Sequence, residues 1–243
     1  MGEAAELTEP ERSEVLAAVR QAAGDLPIVL GITAPSPALV GERARAAAGA
    51  GAAAVMVSPM PGVPLRAAVD AAAEGGLPIV VQDYPPASGV TLRVEDLAEP
   101  LPLVAGVKAE APPTSTAIEA LADLRPDLDV MGGLGGLFLL DELRAGSTGT
   151  MTGFAAPERL AAILRTFRTD PDAAQRAWIE LLPLMRLEAF PPYSLASRKE
   201  IWRLRGVIRS ARCRRAGAML DDTARGDVRR AVEAVLGPLP VPA

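Results

Sequence analysis

The chain has 243 residues, 49% of them hydrophobic and only 3% aromatic, enough to bury one sizeable core built from Ala, Val, Leu and Ile. It has no histidine and one cysteine, Cys213, which excludes Ser-His-Asp and Cys-His catalysis, imidazole metal sites and an intrachain disulfide, and fits a reducing cytosol. A net charge of −5 argues against general nucleic-acid affinity. With neither an apolar run of ~18 residues nor a basic leader, the sequence predicts a cytoplasmic protein that does not enter a membrane.

In chain order, helical periodicity over 9–23 precedes a β-type run at 26–32. Helices at 37–50, 65–74, 115–124, 137–145 and 157–167 then alternate with β-type runs at 53–58, 77–82, 103–108, 129–132 and 149–152. Strand spacings of roughly 20 to 27 residues predict a parallel sheet, and the nearly continuous apolar runs predict that both its faces are covered. A (β/α)8 barrel and a doubly wound sheet both satisfy this pattern. The TIM barrel is favoured because no GxGxxG follows the first run and polar residues gather after several different runs.

After Phe167 only helices are predicted, at 171–187, 194–208 and 221–236, with a break at 188–192. The Pro-rich segment 237–242 cannot continue a helix. The expected organisation is an α/β partial barrel of about six strands over 1–167, a C-terminal helical appendage over 168–236 and a tail over 237–243.

Polar groups at the carboxyl ends of the runs are Ser58, then Gln82, Asp83 and Tyr84, then Lys108 with Glu110, the glycine-rich stretch 132–136, and Thr150 and Thr152. Lys108 stands out because it and Lys199 are the only lysines among 25 basic residues. Arginine stays charged, whereas a desolvated lysine can lose its proton and attack a carbonyl to form a Schiff base. With an ordinary pKa of ~10.4, about one lysine in 2,500 is neutral at pH 7, so such a site must be desolvated or carry a nearby cation. Val104 and Val107 supply apolar surroundings. The other reading of Lys108 is a surface lysine closing a strand.

Six segments in register resemble one known family across nearly the whole chain. They are Gly2-Glu3 followed by 7–12, Val57-Ser58-Pro59, Gln82-Asp83-Tyr84-Pro85, Ser88-Gly89-Val90, Gly106-Val107-Lys108 and Gly132-Gly133. Together they resemble the dihydrodipicolinate synthase and N-acetylneuraminate lyase family of class I aldolases. The resemblance implies that Lys108 condenses with the ketone of a 2-oxo acid such as pyruvate, without a cofactor or metal, in a homo-oligomer, a dimer or tetramer. It also implies substrate contacts at Gly2, Ser58, Gln82, Asp83, Gly133 and Met151. The iminium acts as an electron sink for making or breaking a bond beside the former carbonyl.

The sequence departs from the family where protons must move. Gln82 stands in place of the family's tyrosine, and glutamine is neither an acid nor a base. Tyr84, two residues on, shares a face with Gln82 if the strand continues, or packs on a loop proline. The expected proton carrier is Tyr84 or an ordered water. Asp83, asparagine in the family, reads as a loop cap, a base or a ligand to a substrate hydroxyl. Ala87 replaces the synthases' carboxylate-gripping arginine, and Met60 and Pro61 replace a tyrosine pair, which argues against dihydrodipicolinate synthesis itself.

In the family a strand, a helix and a second strand precede the Gly-Glu turn. Their counterparts are not recognised here, so the expectation is an N-terminally truncated barrel, with Met1 an internal methionine or the chain a remnant.

The expected function is a Schiff-base lyase or aldolase acting on a small 2-oxo acid, the alternative being a non-catalytic relative that only binds one. A metal-dependent barrel enzyme ranks third, its ligands then being Asp83, Glu110 and neighbouring oxygens. The segment 132–136 reads as an anion cradle or, preferably, a tight turn. The basic run 198–215 reads as a solvated helix face or subunit contact rather than a nucleic-acid site.

Overall fold

The computed structural model describes residues 3, 6–98, 100–189, 194–214 and 219–239. It forms two compact units, one of Glu14–Gly133 and Asp141–Met151, the other of Met1–Ser13, Leu134–Leu140 and Thr152–Ala243. Helix α1 (Glu9–Ala23) opens on a capping box, in which the Thr8 backbone N–H donates to Glu11 and the Glu11 N–H donates back to the Thr8 hydroxyl.

The first unit is built on a six-stranded parallel sheet. Its strands are β1 (Val29–Gly31), β2 (Ala54–Val57), β3 (Ile79–Asp83), β4 (Gly106–Ala109), β5 (Asp129–Gly132) and β6 (Gly149–Thr150), hydrogen-bonded in sequence order. Between them run α2 (Pro37–Gly49), α3 (Leu65–Ala73), α4 (Pro85–Ser88), α5 (Val94–Ala98), α6 (Thr114–Leu124) and α7 (Leu139–Arg144). Ser36 caps α2 by accepting from the Leu39 N–H, and Pro37 takes the first turn, where its missing donor costs nothing.

One face of the sheet packs on the helices. Val55, Val57, Ile79, Val81, Val107 and Val130 join Val40, Ala44 and Ala47 of α2, Val69 and Ala72 of α3, and Ile118 and Leu121 of α6 in one buried cluster. Each fully buried aliphatic side chain contributes about 1.5 to 3 kcal/mol. Small residues let the layers approach closely: a Cβ at Gly75 would lie 2.7 Å from the Ala44 carbonyl oxygen. Because strand residues alternate, the opposite face carries the positions between these, including Gln82, Lys108 and Met131.

Several boundaries differ from expectation. Strand β4 begins at Gly106 rather than 103, because Leu101–Leu103 forms a 3-10 turn around Pro102. The unpredicted helix α4 starts on Pro85 and Pro86 and ends where Gly89 adopts φ 69°, a left-handed conformation suited to glycine. Strand β6 covers only Gly149–Thr150 of the predicted 149–152.

The second unit carries α8 (Pro157–Phe167), α9 (Pro171–Ala189), α10 (Ser194–Leu204) and α11 (Asp222–Leu236). Helix α10 stops at Leu204 rather than 208, since Gly206 takes φ 75° and the Val207 N–H turns back to the Trp202 carbonyl. The basic run is not simply a solvated face: Arg198 pairs with Glu188, Lys199 with Glu3, Arg203 with Glu200, Arg205 with Glu158 and Arg214 with Glu11. Cys213 is buried, and burial pushes its thiol above its ordinary pKa, away from nucleophilic reactivity. Among the described residues no helix is long and apolar enough to cross a membrane.

Candidate functional site

The site forms where β2, β3, β4 and β5 end. Gly106-Val107-Lys108-Ala109 is buried throughout, and parallel pairing sets Lys108 opposite Gln82 on one side and Met131 on the other, with Met131 opposite Gly149. Lys108 is only 3% exposed. Its ammonium lies 2.8 Å from Glu110 Oε2, the carboxylate two residues along on the same side of the chain. The pairing of β3 with β4 extends one step past the strand, since the Glu110 N–H donates to the Asp83 carbonyl at 2.9 Å.

A chain of polar contacts converges on Glu110. Gln82 Nε2 donates to Glu110 Oε2 at 2.6 Å, Ser58 Oγ donates to Gln82 Oε1 at 3.2 Å, and the Ser58 backbone N–H donates to Thr33 Oγ1 at 2.9 Å. The network fixes the glutamine amide: its oxygen faces the serine hydroxyl and its NH2 faces the carboxylate.

Glycines make room for this chemistry. At Gly133 a Cβ would occupy the space of the Glu110 side chain, and at Gly132 that of the Glu142 carboxylate. Neither has a left-handed φ, so the need here is for space rather than backbone freedom. Glu142 is fully buried, and burial pushes its carboxyl up to about 7, with Glu110 and Asp141 adding to the shift and the Thr114 hydroxyl opposing it. Asp83 lies on the face of β3 opposite to Gln82, buried with its Oδ1 lacking a hydrogen-bond partner among the described residues. Burial, reinforced by the Glu110 charge, pushes Asp83 up to about 6.

The sequence-derived positions are therefore distributed unevenly. Lys108, Gln82 and Ser58 come together, and Gly133 borders them through Glu110. Asp83 points to the other face. Tyr84 is half-buried one residue beyond β3, where its carbonyl accepts from Ala87 and Ser88 as α4 begins. Met151 is half-buried just past β6, its N–H donating to the Gly132 carbonyl. Gly2 lies outside the described residues.

Sequence reasoning placed Glu110 near the site without giving it a part in Schiff-base chemistry, although its i+2 spacing from Lys108 is a strand-face signal. Thr33, Thr114 and Glu142 were not anticipated. No group of three or more Asp, Glu or Cys among the described residues is arranged to hold a metal ion.

The parallel (β/α) sheet has the TIM-type barrel fold, and Lys108 is buried at the end of one of its strands. The profile of the Dihydrodipicolinate synthetase family matches residues 1–235, and the chain belongs to that family.

Among curated proteins it is 36% identical over 135 residues to the 4-hydroxy-tetrahydrodipicolinate synthase of Xanthomonas axonopodis pv. citri, covering 52% of this chain and 44% of that one. It is 33% identical over 147 residues to the L-2-keto-3-deoxyarabonate dehydratase of Azospirillum brasilense, covering 57% and 46%. The matches thus span about half the length of these curated relatives. The crystal structure of dihydrodipicolinate synthase from Rhodopseudomonas palustris superposes with a TM-score of 0.88 at 29% identity, covering 96% of this chain and 83% of that one.

Proposed function

We propose that this protein is a class I lyase or aldolase in which Lys108 forms a Schiff base with a small 2-oxo acid. The observation that carries the reading is Lys108 itself, 3% exposed at the end of β4 within Gly106-Val107-Lys108 and bordered by Gln82 and Glu110. Near-complete burial disfavours a role as a surface lysine; Val107, expected to line the amine, faces the helices instead, and the amine meets Glu110 on the non-helical face of the sheet. Once formed, the iminium withdraws electrons from the adjacent carbon, so that a C–C bond or a C–O bond beside it can form or break.

Synthesis of dihydrodipicolinate is not part of this reading. Gln82 occupies the position of the family's proton-carrying tyrosine and is engaged with Ser58 and Glu110, and Ala87 in α4 offers no grip on a second carboxylate. The similarity to an enzyme named L-2-keto-3-deoxyarabonate dehydratase supports a hydroxylated 2-oxo acid as substrate and loss of water as the reaction. The same reading includes a cytoplasmic homo-oligomer and a division at about residue 167 between a barrel domain and a helical region. A second reading, a relative that binds a 2-oxo acid without turning it over, is favoured by Gln82, a group that is neither acid nor base in the place of the proton-carrying tyrosine.

Borohydride reduction in the presence of pyruvate tests the proposal. A mass adduct is expected on Lys108 and not on Lys199, and its absence from the folded protein defeats the Schiff-base reading.

A further inference from the structure

We infer that Glu110 is the proton carrier of this site, moving protons at the Lys108 nitrogen and at the substrate carbon beside the imine; this rests on the Schiff-base reading above. The family position for that task is filled by Gln82, whose amide neither gains nor loses a proton at working pH. Tyr84 opens α4 beyond the strand end. Glu110 has both the chemistry and the geometry, with Oε2 2.8 Å from Lys108 Nζ. In an imine, the reacting carbon is two bonds from that nitrogen, so a carboxylate in contact with the nitrogen is also within reach of the carbon.

The surroundings are arranged around this carboxylate. Gln82 Nε2 holds Oε2 at 2.6 Å, and Ser58, donating to Gln82 Oε1, keeps the amide from turning over. Gly133 leaves space for the glutamate side chain. The glutamine that has lost the proton-carrying task thus serves as a clamp on its replacement. Asp83 and Glu142 both feel the Glu110 charge, which places a carboxylate at the centre of the buried polar region.

The steps balance without a cofactor. The Lys108 ammonium gives a proton to Glu110, and the amine lone pair attacks the ketone carbon, forming C–N while the C=O π pair moves to oxygen. Glu110 passes its proton to that oxygen, takes a second proton from nitrogen and delivers it as the C–O bond breaks. Water leaves, the iminium remains and Glu110 is again a carboxylate. It then accepts a proton from the adjacent carbon. The C–H pair becomes C=C, the C=N π pair withdraws to nitrogen, and the products are a neutral enamine and a protonated Glu110.

Exchange of the pyruvate methyl protons in D2O, followed by NMR, reads the last step independently of the natural substrate. In the wild type, trapping on Lys108 and methyl exchange are both expected. Glu110→Gln, nearly the same shape, is expected to yield the trapped adduct on prolonged incubation while exchange falls by about 100-fold or more. Glu110→Asp keeps a carboxylate and retains the acid limb of the exchange pH profile, which Glu110→Gln loses. Circular dichroism checks that both variants are folded. Exchange in folded Glu110→Gln at the wild-type rate, or with the wild-type acid limb, overturns the assignment. Failure of the wild type itself to be trapped defeats the Schiff-base reading, a result distinct from any effect of the variants.

Discussion

Gly133 and Glu110 occupy adjoining space at the ends of β5 and β4, with no room for a Cβ between them. Gly133→Ala therefore has to displace a carboxylate that is hydrogen-bonded to Gln82 and paired with Lys108. Overpacking of this kind costs about 1 to 3 kcal/mol. Gly132→Ala should cost a similar amount by pushing on Glu142 instead. Denaturant midpoints should fall for both variants, whereas the rate of pyruvate trapping should fall clearly more for Gly133→Ala. Equal trapping rates in the two variants would separate Glu110 from the chemistry of Lys108.

The contrast between these glycines shows what the sequence made legible. Strand-helix alternation announced the parallel sheet because that signal is local and periodic, and a lysine ending an apolar run marked the candidate site because it is local. Gln82 could be located as a departure from a family motif, but its bonds to Ser58 and Glu110 join three different strand ends. Glu142 gave no signal: an acid in a short helix reads as solvated until tertiary packing sets it against Gly132. In the same way the 198–215 run read as a solvated helix face or subunit contact, because its acidic partners Glu3, Glu11, Glu158 and Glu188 lie elsewhere in the chain.

The buried Lys108–Glu110 pair should show strong energetic interdependence. Removing one partner leaves a charge in a nearly enclosed site, which costs about 3 to 5 kcal/mol, while replacing both by apolar groups removes that penalty. Lys108→Met and Glu110→Leu should each lower stability substantially, and the double variant should be more stable than the sum of the single effects allows. Urea titration of the four proteins measures the difference. Strict additivity would mean that the 2.8 Å contact does not contribute in solution.

Glu142 should make the protein less stable as pH rises through the weakly acid range. Its folded pKa, pushed up to about 7 from an ordinary 4.5, means that the native state holds a proton that the unfolded state releases earlier. The native state is then unpenalised below about pH 4.5, loses stability between about 4.5 and 7, and carries the full penalty above that range. The shift corresponds to a penalty on the order of 3 kcal/mol. Thr114, Glu110 and Asp141 are the groups that tune it. Asp83, raised to about 6 from 3.8, adds in the same direction over a lower window. Glu142→Gln should flatten the stability profile and raise stability at pH 8 relative to the wild type. An unchanged slope between pH 5 and 7 would show that Glu142 does not hold its proton in the folded protein.

In the helical unit, Glu188 and Arg198 form the contact whose loss should be most damaging. Glu188 Oε2 accepts from Arg198 Nε at 2.7 Å and Oε1 accepts from the Ala155 N–H at 3.0 Å. Burial raises the Glu188 pKa, opposed first by the Arg198 charge and then by these hydrogen bonds. Arg198→Met removes the largest opposing influence, leaving a buried carboxylate that must either stay charged without a cation or take up a proton. The expected loss is about 3 to 5 kcal/mol at neutral pH. Because the folded pKa then lies further above the unfolded one, the penalty vanishes below the ordinary glutamate pKa and grows as pH rises. Glu188→Gln in the same background keeps an acceptor for Ala155 and carries no charge, so it should restore much of the stability at pH 8 and little at pH 4. Thermal unfolding of the single and double variants at both pH values measures this, and a pH-independent defect in Arg198→Met would mean that packing, rather than the buried charge, accounts for the loss.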